Sequence, residues 1–89
     1  MARPFKPVMW VGSSLVDLRK FAPDAQHNLG GELWQVQIGK APADFKPMPS
    51  IGSGVFEMRV HTRTEHRLVY VAKYEEAVYV LHAFEKRQL

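Results

Sequence analysis

The feature that most constrains the fold is a series of three strand-like runs in the second half of the 89-residue chain. In residues 55–60 and 66–73, side chains alternate between two faces with the period of a half-buried β-strand. Residues 77–84 are apolar on both faces apart from His82, as in a central strand. Short polar turns at residues 62–65 and 74–76 join the runs. This half of the chain therefore predicts an antiparallel sheet of three strands.

The first half predicts one strand and two helices. Residues 8–11 follow two prolines and read as a short buried strand that stops at Gly12. A serine cap and apolar residues at helical spacing predict a helix over residues 13–21. Pro23 is suited to a first helical position and Gly39 to a helix stop, so a second helix is predicted between them.

Two segments interrupt these patterns. Gly30 and Gly31 fall inside the second helix, where two glycines cost about 2 kcal/mol relative to alanine. The helix is therefore expected either to bend there or to have another element packed closely on its backbone. Residues 40–54 carry three prolines and two glycines without periodicity, which predicts a loop.

The predicted fold class is α+β, with the N-terminal strand and the two helices packed on one face of the three-stranded sheet. A core of this size cannot be divided, so residues 1–89 are expected to form one domain. The chain has no cysteine, which excludes disulfides and thiolate zinc sites and fits the cytoplasm. No apolar run approaches the roughly 20 residues of a membrane span, so no membrane partner is expected.

Known ligand-binding patterns are missing from the sequence. His27, His61 and His66 have no second ligand at a spacing that would define a metal site. There is also no glycine-rich phosphate loop, nucleophile elbow or dinucleotide fingerprint. We therefore expect neither a metal nor a small-molecule cofactor.

Charged residues on the predicted sheet suggest chemistry at its polar face. If the helices cover the other face, Glu57, Arg59 and Arg67 project together from adjacent strands, where cross-strand neighbours lie about 5 Å apart. Two guanidinium groups and a carboxylate suit phosphodiester chemistry. The alternative is that Glu57 pairs with either arginine across a solvated sheet.

Other basic groups extend the same argument. The net charge is only +3, but a sequence pI near 9.5 favours an anionic partner such as nucleic acid, although an ordinary basic protein fits the charge equally well. His82 is either an acid or base beside a scissile phosphate or a core histidine, and strand parity does not decide which face it occupies. Lys86, Arg87 and Arg63 are candidate contacts to RNA backbone.

Three segments together resemble a known family. They are WVGSSLVDLRKFAPDAQHNLGGELWQVQIGK, KPMPSIGSGVFEMRV and HRLVYVAKYEEAVYVLHAFEKR. The chain resembles the phage-derived branch of the RelE/HigB toxin superfamily, most specifically at residues 54–60, 67–70 and 80–86. Relatives normally continue into a C-terminal helix, so we expect this chain to lack that extension.

The resemblance implies a function and assigns roles. It implies a ribosome-dependent endoribonuclease that cuts mRNA by attack of the ribose 2′-hydroxyl on the adjacent phosphate, silenced by an antitoxin of helix-turn-helix type. In this family Arg67 would stabilise the transition state, with Arg59, Glu57 and His82 as further catalytic groups, while Lys86 and Arg87 would hold RNA. The alternative is a non-enzymatic, phage-derived module that binds a protein through the same scaffold.

Overall fold

A computed structural model describes residues 4–86 of the chain. The α+β class is confirmed. Two helices accompany five strands: β1 Val8–Trp10, α1 Ser14–Arg19, α2 Pro23–Gln37, β2 Phe45–Pro47, β3 Val55–His61, β4 Glu65–Val71 and β5 Val78–Lys86.

The five strands form one mixed sheet in the order β1-β5-β4-β3-β2. The predicted antiparallel arrangement of three C-terminal strands forms its centre. The predicted place of the N-terminal strand is wrong, because β1 does not lie on a face with the helices but pairs parallel to β5 at an edge. At that edge Met9 is 52% exposed, so the strand is not buried as predicted.

The opposite edge holds a strand that the sequence did not predict. β2 lies within the segment predicted as a loop, and pairs antiparallel with β3 through Phe45 opposite Met58. It has three exposed residues and ends in Pro47, so it carries no alternation to detect. Proline is tolerated there because an edge strand has one side free of ladder hydrogen bonds.

The helices cover one face of the sheet, as the strand pattern predicted. Apolar residues from α2 join every second residue of the three central strands in a buried core, which consists of Leu29, Leu33, Val36, Met58, Val60, Leu68, Tyr70, Val78 and Val80. Burying such side chains contributes about 1.5–3 kcal/mol each relative to exposure. The remaining face of the sheet is left without a helix.

Helix α1 ends two residues earlier than predicted. Pro23 begins α2 and forces the preceding residue, Ala22, into an extended conformation with ψ of 149°. The short connection left between the helices therefore takes up residues 20–22.

Helix α2 runs without interruption through Gly30 and Gly31. A Cβ atom built at either glycine would meet nothing within 4 Å, so the predicted close packing on the backbone is wrong. The pair is exposed, because the buried positions of α2 lie on its other side. Within residues 4–86 no helix is long and apolar enough to cross a membrane.

Candidate functional site

The face of the sheet opposite the helices, here called the open face, carries the predicted site residues. Strand register sets its side chains in three neighbouring rows. These rows are Glu57–Val69–His82, Arg59–Arg67–Phe84 and His61–Glu65–Lys86. Because alternate residues of a strand share a face, Glu57, Arg59 and Arg67 lie on the same side, as the sequence predicted.

A β-bulge decides the position of His82. Val69 lies opposite His82, whereas the next residue, Tyr70, lies opposite Val80, which leaves Leu81 as an extra residue in β5. The extra residue turns His82 to the open face, although Val80 faces the helices. His82 is exposed and stacks on Phe84 with ring centroids 5.1 Å apart, so it is not a core histidine.

Two guanidinium groups converge on one carboxylate oxygen. Arg59 Nε donates a hydrogen bond to Glu57 Oε1 at 3.2 Å, and Arg67 Nη1 lies 3.4 Å from the same oxygen. The Glu57 side chain is 3% exposed, against 22% for Arg59 and 13% for Arg67. The carboxylate therefore lies beneath the guanidinium groups, in a position to orient them.

Glu65 holds the other end of Arg67. Arg67 Nη2 donates to Glu65 Oε2 at 2.9 Å, and this hydrogen bond lowers the pKa of the Glu65 carboxyl. Nε of Arg67 is buried and has no hydrogen-bond partner among the described residues. Both arginines are thus fixed by carboxylates, so the cluster combines the convergent site and the ion-paired sheet that the sequence left as alternatives.

His61 extends this network beyond what the sequence predicted. Its Nε2 atom lies 2.9 Å from Asp44 Oδ2, and its Nδ1 atom lies 3.7 Å from Glu65 Oε1. The side chain is 59% exposed. Strand parity with Glu57 and Arg59 could have revealed its place on the open face. The approach of Asp44 from the segment before β2 could not have been foreseen.

His66 belongs to the helix-covered face and not to this site. It is 1% exposed, and its ring centroid lies 4.7 Å from that of Phe21. Its Nε2 atom is 3.0 Å from Glu85 Oε2, off the line of a hydrogen bond. No group of three or more potential metal ligands occurs between residues 4 and 86.

The predicted RNA contacts lie at one end of the open face. Arg63 is exposed in the turn between β3 and β4. Lys86 is exposed in β5, opposite Glu65 beside that turn. Arg87 lies outside the described residues.

The fold and the open face define a class: a small α+β protein with a chain of paired arginines and carboxylates on the open face of a mixed sheet. Residues 16–88 match the model of the family described as phage-derived protein Gp49-like, and the chain belongs to that family. Neither the curated proteins nor the solved structures contain a match.

Proposed function

We propose that this protein is a ribosome-dependent mRNA endoribonuclease, the toxin of a toxin–antitoxin pair of the RelE/HigB kind. The observation that carries the proposal is the convergence of Arg59 and Arg67 on a single oxygen of Glu57, on the face that no helix covers. Membership of a phage-derived family is consistent with this role.

The arginine pair suits the transition state better than the ground state. A phosphodiester carries one negative charge, and attack by the 2′-hydroxyl adds a second as the phosphorane forms. Glu57 and Glu65 already neutralise the two guanidinium groups, so ground-state attraction is weak. The groups are also held in place before substrate arrives, so they respond to the added charge without reorganising.

The proposed roles follow from burial. Arg67 and Arg59 contact the scissile phosphate, and Glu57 acts beneath them as their anchor. His82, exposed on β5 one row away from Arg67, accepts the proton of the 2′-hydroxyl. Lys86 and Arg63 hold RNA backbone at the turn end of the sheet, and Arg87 is proposed as a further RNA contact.

The proposed partners are the ribosome, its mRNA and a helix-turn-helix antitoxin, and the proposed location is the cytoplasm. The reaction needs no metal, because guanidinium groups supply the positive charge and the ribose supplies the nucleophile. A small helix-turn-helix gene next to this one is the expected genomic setting.

Primer extension on mRNA translated with purified ribosomes tests the activity. Wild-type protein is expected to produce new 3′ ends inside the reading frame. Arg67→Lys, which keeps the charge but loses the planar fork, is expected to lower the cleavage rate about 100-fold. The matched control is Arg19→Ala, at an exposed arginine of α1, which should cut like wild type. Equal cleavage by Arg67→Lys and wild type would contradict the role of Arg67.

A second function is favoured by the pairing itself, because both arginines already have carboxylate partners. Beside them the open face is apolar, with Val55, Val69 and Val71 buried under Tyr79 and Leu81, among others. A non-enzymatic module could use this surface to bind a protein. Co-sedimentation with ribosomes and no cleavage at any protein concentration would support the binding module over the nuclease.

A further inference from the structure

The exposed histidine of the third row has a setting unlike that of a solvated surface residue. His61 lies two positions after Arg59 on the same strand, about 7 Å along the open face. Asp44 contacts one ring nitrogen and Glu65 faces the other. Both nitrogens can donate toward these carboxylates only when the ring is protonated. The two carboxylates therefore lie on either side of the ring, with Nε2 at hydrogen-bond distance from Asp44 and Nδ1 3.7 Å from Glu65.

One carboxylate connects His61 to the arginine pair. Glu65 bridges His61 and Arg67, with its Oε1 atom toward the ring and its Oε2 atom on the guanidinium. A phosphate held by Arg59 and Arg67 lies within reach of His61, because cross-strand and diagonal neighbours on one face are about 5–8 Å apart. At 59% exposure, the ring is accessible to substrate.

We propose that His61 is the general acid of the cleavage site and that Asp44 positions it. This inference rests on the proposed nuclease function, and it adds a catalytic residue that the sequence considered only as a metal ligand.

The step balances as a transesterification. The 2′-oxygen forms a bond to phosphorus and loses its proton to a base, for which His82 is the proposed group. The bond from phosphorus to the 5′-oxygen breaks, and that oxygen takes the Nδ1 proton of the protonated His61 ring, while Nε2 stays on Asp44. The products are a 2′,3′-cyclic phosphate and a 5′-hydroxyl, and no oxidant, metal or cofactor enters.

Other groups at this end of the sheet are less suited to donate the proton. Glu57 is buried, and the hydrogen bond from Arg67 lowers the pKa of Glu65, which keeps it ionised. His27 and Glu32, from α2, line the same cleft as Asp44 and His61. Within residues 4–86 His27 makes no hydrogen bond or ion pair, so nothing orients it.

A sulfur substitution in the substrate isolates the proton transfer. When the bridging 5′-oxygen is replaced by sulfur, the leaving group is a thiolate, whose conjugate acid has a pKa of about 8.5, so departure no longer needs a proton. Single-turnover cleavage is measured on ribosomes programmed with the normal mRNA and with the 5′-thio mRNA. His61→Gln should cut the normal mRNA about 100-fold more slowly than wild type and the 5′-thio mRNA at nearly the wild-type rate.

Matched variants separate this role from a structural one. Arg67→Lys should be slow on both substrates, because its loss affects the phosphorane and not the leaving group. His27→Gln should equal wild type on both. Asp44→Asn should lower the rate on the normal mRNA only, with unchanged ribosome affinity. Thermal unfolding of each variant checks the fold.

The outcomes distinguish the two proposals. If wild type cuts neither mRNA, the nuclease function fails and the assignment of His61 fails with it. If wild type cuts both and His61→Gln matches it on the normal mRNA, only the general acid assignment is overturned. An equal loss on both substrates also overturns it, because that pattern indicates a positioning defect.

Discussion

Glu57 is the residue on which the geometry of the open face depends. Its carboxylate is almost completely buried, and one oxygen accepts a hydrogen bond from Arg59 and forms an ion pair with Arg67. A buried charge is tolerated only when it is paired, and removing one partner of such a pair costs about 3–5 kcal/mol. This is why the test of Arg67 uses lysine: truncation to alanine would mix a loss of stability with a loss of chemistry.

Tyr70 provides a prediction for alkaline stability. Burial raises the pKa of its hydroxyl to about 12, from 10 in the unfolded chain. The folded protein holds this proton more tightly, so the stability from Tyr70 is complete below pH 10 and is lost as the pH rises toward 12. By pH 11 the loss should be about 1 kcal/mol.

Urea unfolding at pH 9 and pH 11 measures this loss. Tyr70→Phe should remove about 1 kcal/mol of the pH dependence, since the ring stays in the core and the titrating hydroxyl is gone. Tyr74→Phe, at an exposed tyrosine, is the control and should keep the wild-type difference. The explanation from burial is wrong if the two variants respond alike.

At the scale of elements, α2 contains two glycines whose replacement by alanine should stabilise the protein. Gly30 and Gly31 are exposed, and neither has a positive φ angle. A Cβ atom at either position would meet nothing within 4 Å. Gly30→Ala and Gly31→Ala should each stabilise the protein by about 0.5–1 kcal/mol, because alanine restricts the unfolded chain and favours the helix.

Chemical denaturation of the single variants measures the gain. Gly39→Ala is the matched control: Gly39 follows the helix with φ of +89°, where a Cβ is strained. That variant should lose stability. A loss of stability at position 30 or 31 would show that the glycines serve the helix in some other way.

How far the sequence predicts the fold also depends on the element. The alternation in β3 and β4 determined which side chains face the helices, and hence that Arg59 and Arg67 share a face. In β5 the extra residue falls in a run that is apolar on both sides, so nothing in the pattern marks it, and the position of His82 could not be read. The pairing of Asp44 with His61 depends on the three-residue strand β2, which is too short to carry a period.

At the scale of the whole molecule, the central strands of the sheet are longer than its two edge strands. The three central strands have seven to nine residues, whereas β1 and β2 have three each. Cooperative opening begins where few backbone hydrogen bonds and few apolar contacts hold an element.

Amide hydrogen exchange should therefore divide the protein into two classes. Amides of β4, which has a paired strand on each side, should exchange only through global unfolding. Amides of β2 should exchange at least about tenfold faster, through local opening that costs less free energy. Equal protection of the two strands by mass spectrometry or NMR would contradict this division.

Because of the β-bulge at Leu81, the face on which the following side chains of β5 lie depends on the number of residues in that strand. Residues 82–86 keep their facing only because β5 is one residue longer than its partner requires. Loss of a single residue there would exchange the inward and outward rows from His82 onward, placing the imidazole and the Phe84 ring under the helices. In an alignment of related chains this strand is therefore compared by counting residues from the bulge, because a gap of one residue separates a histidine on the open face from one under the helices.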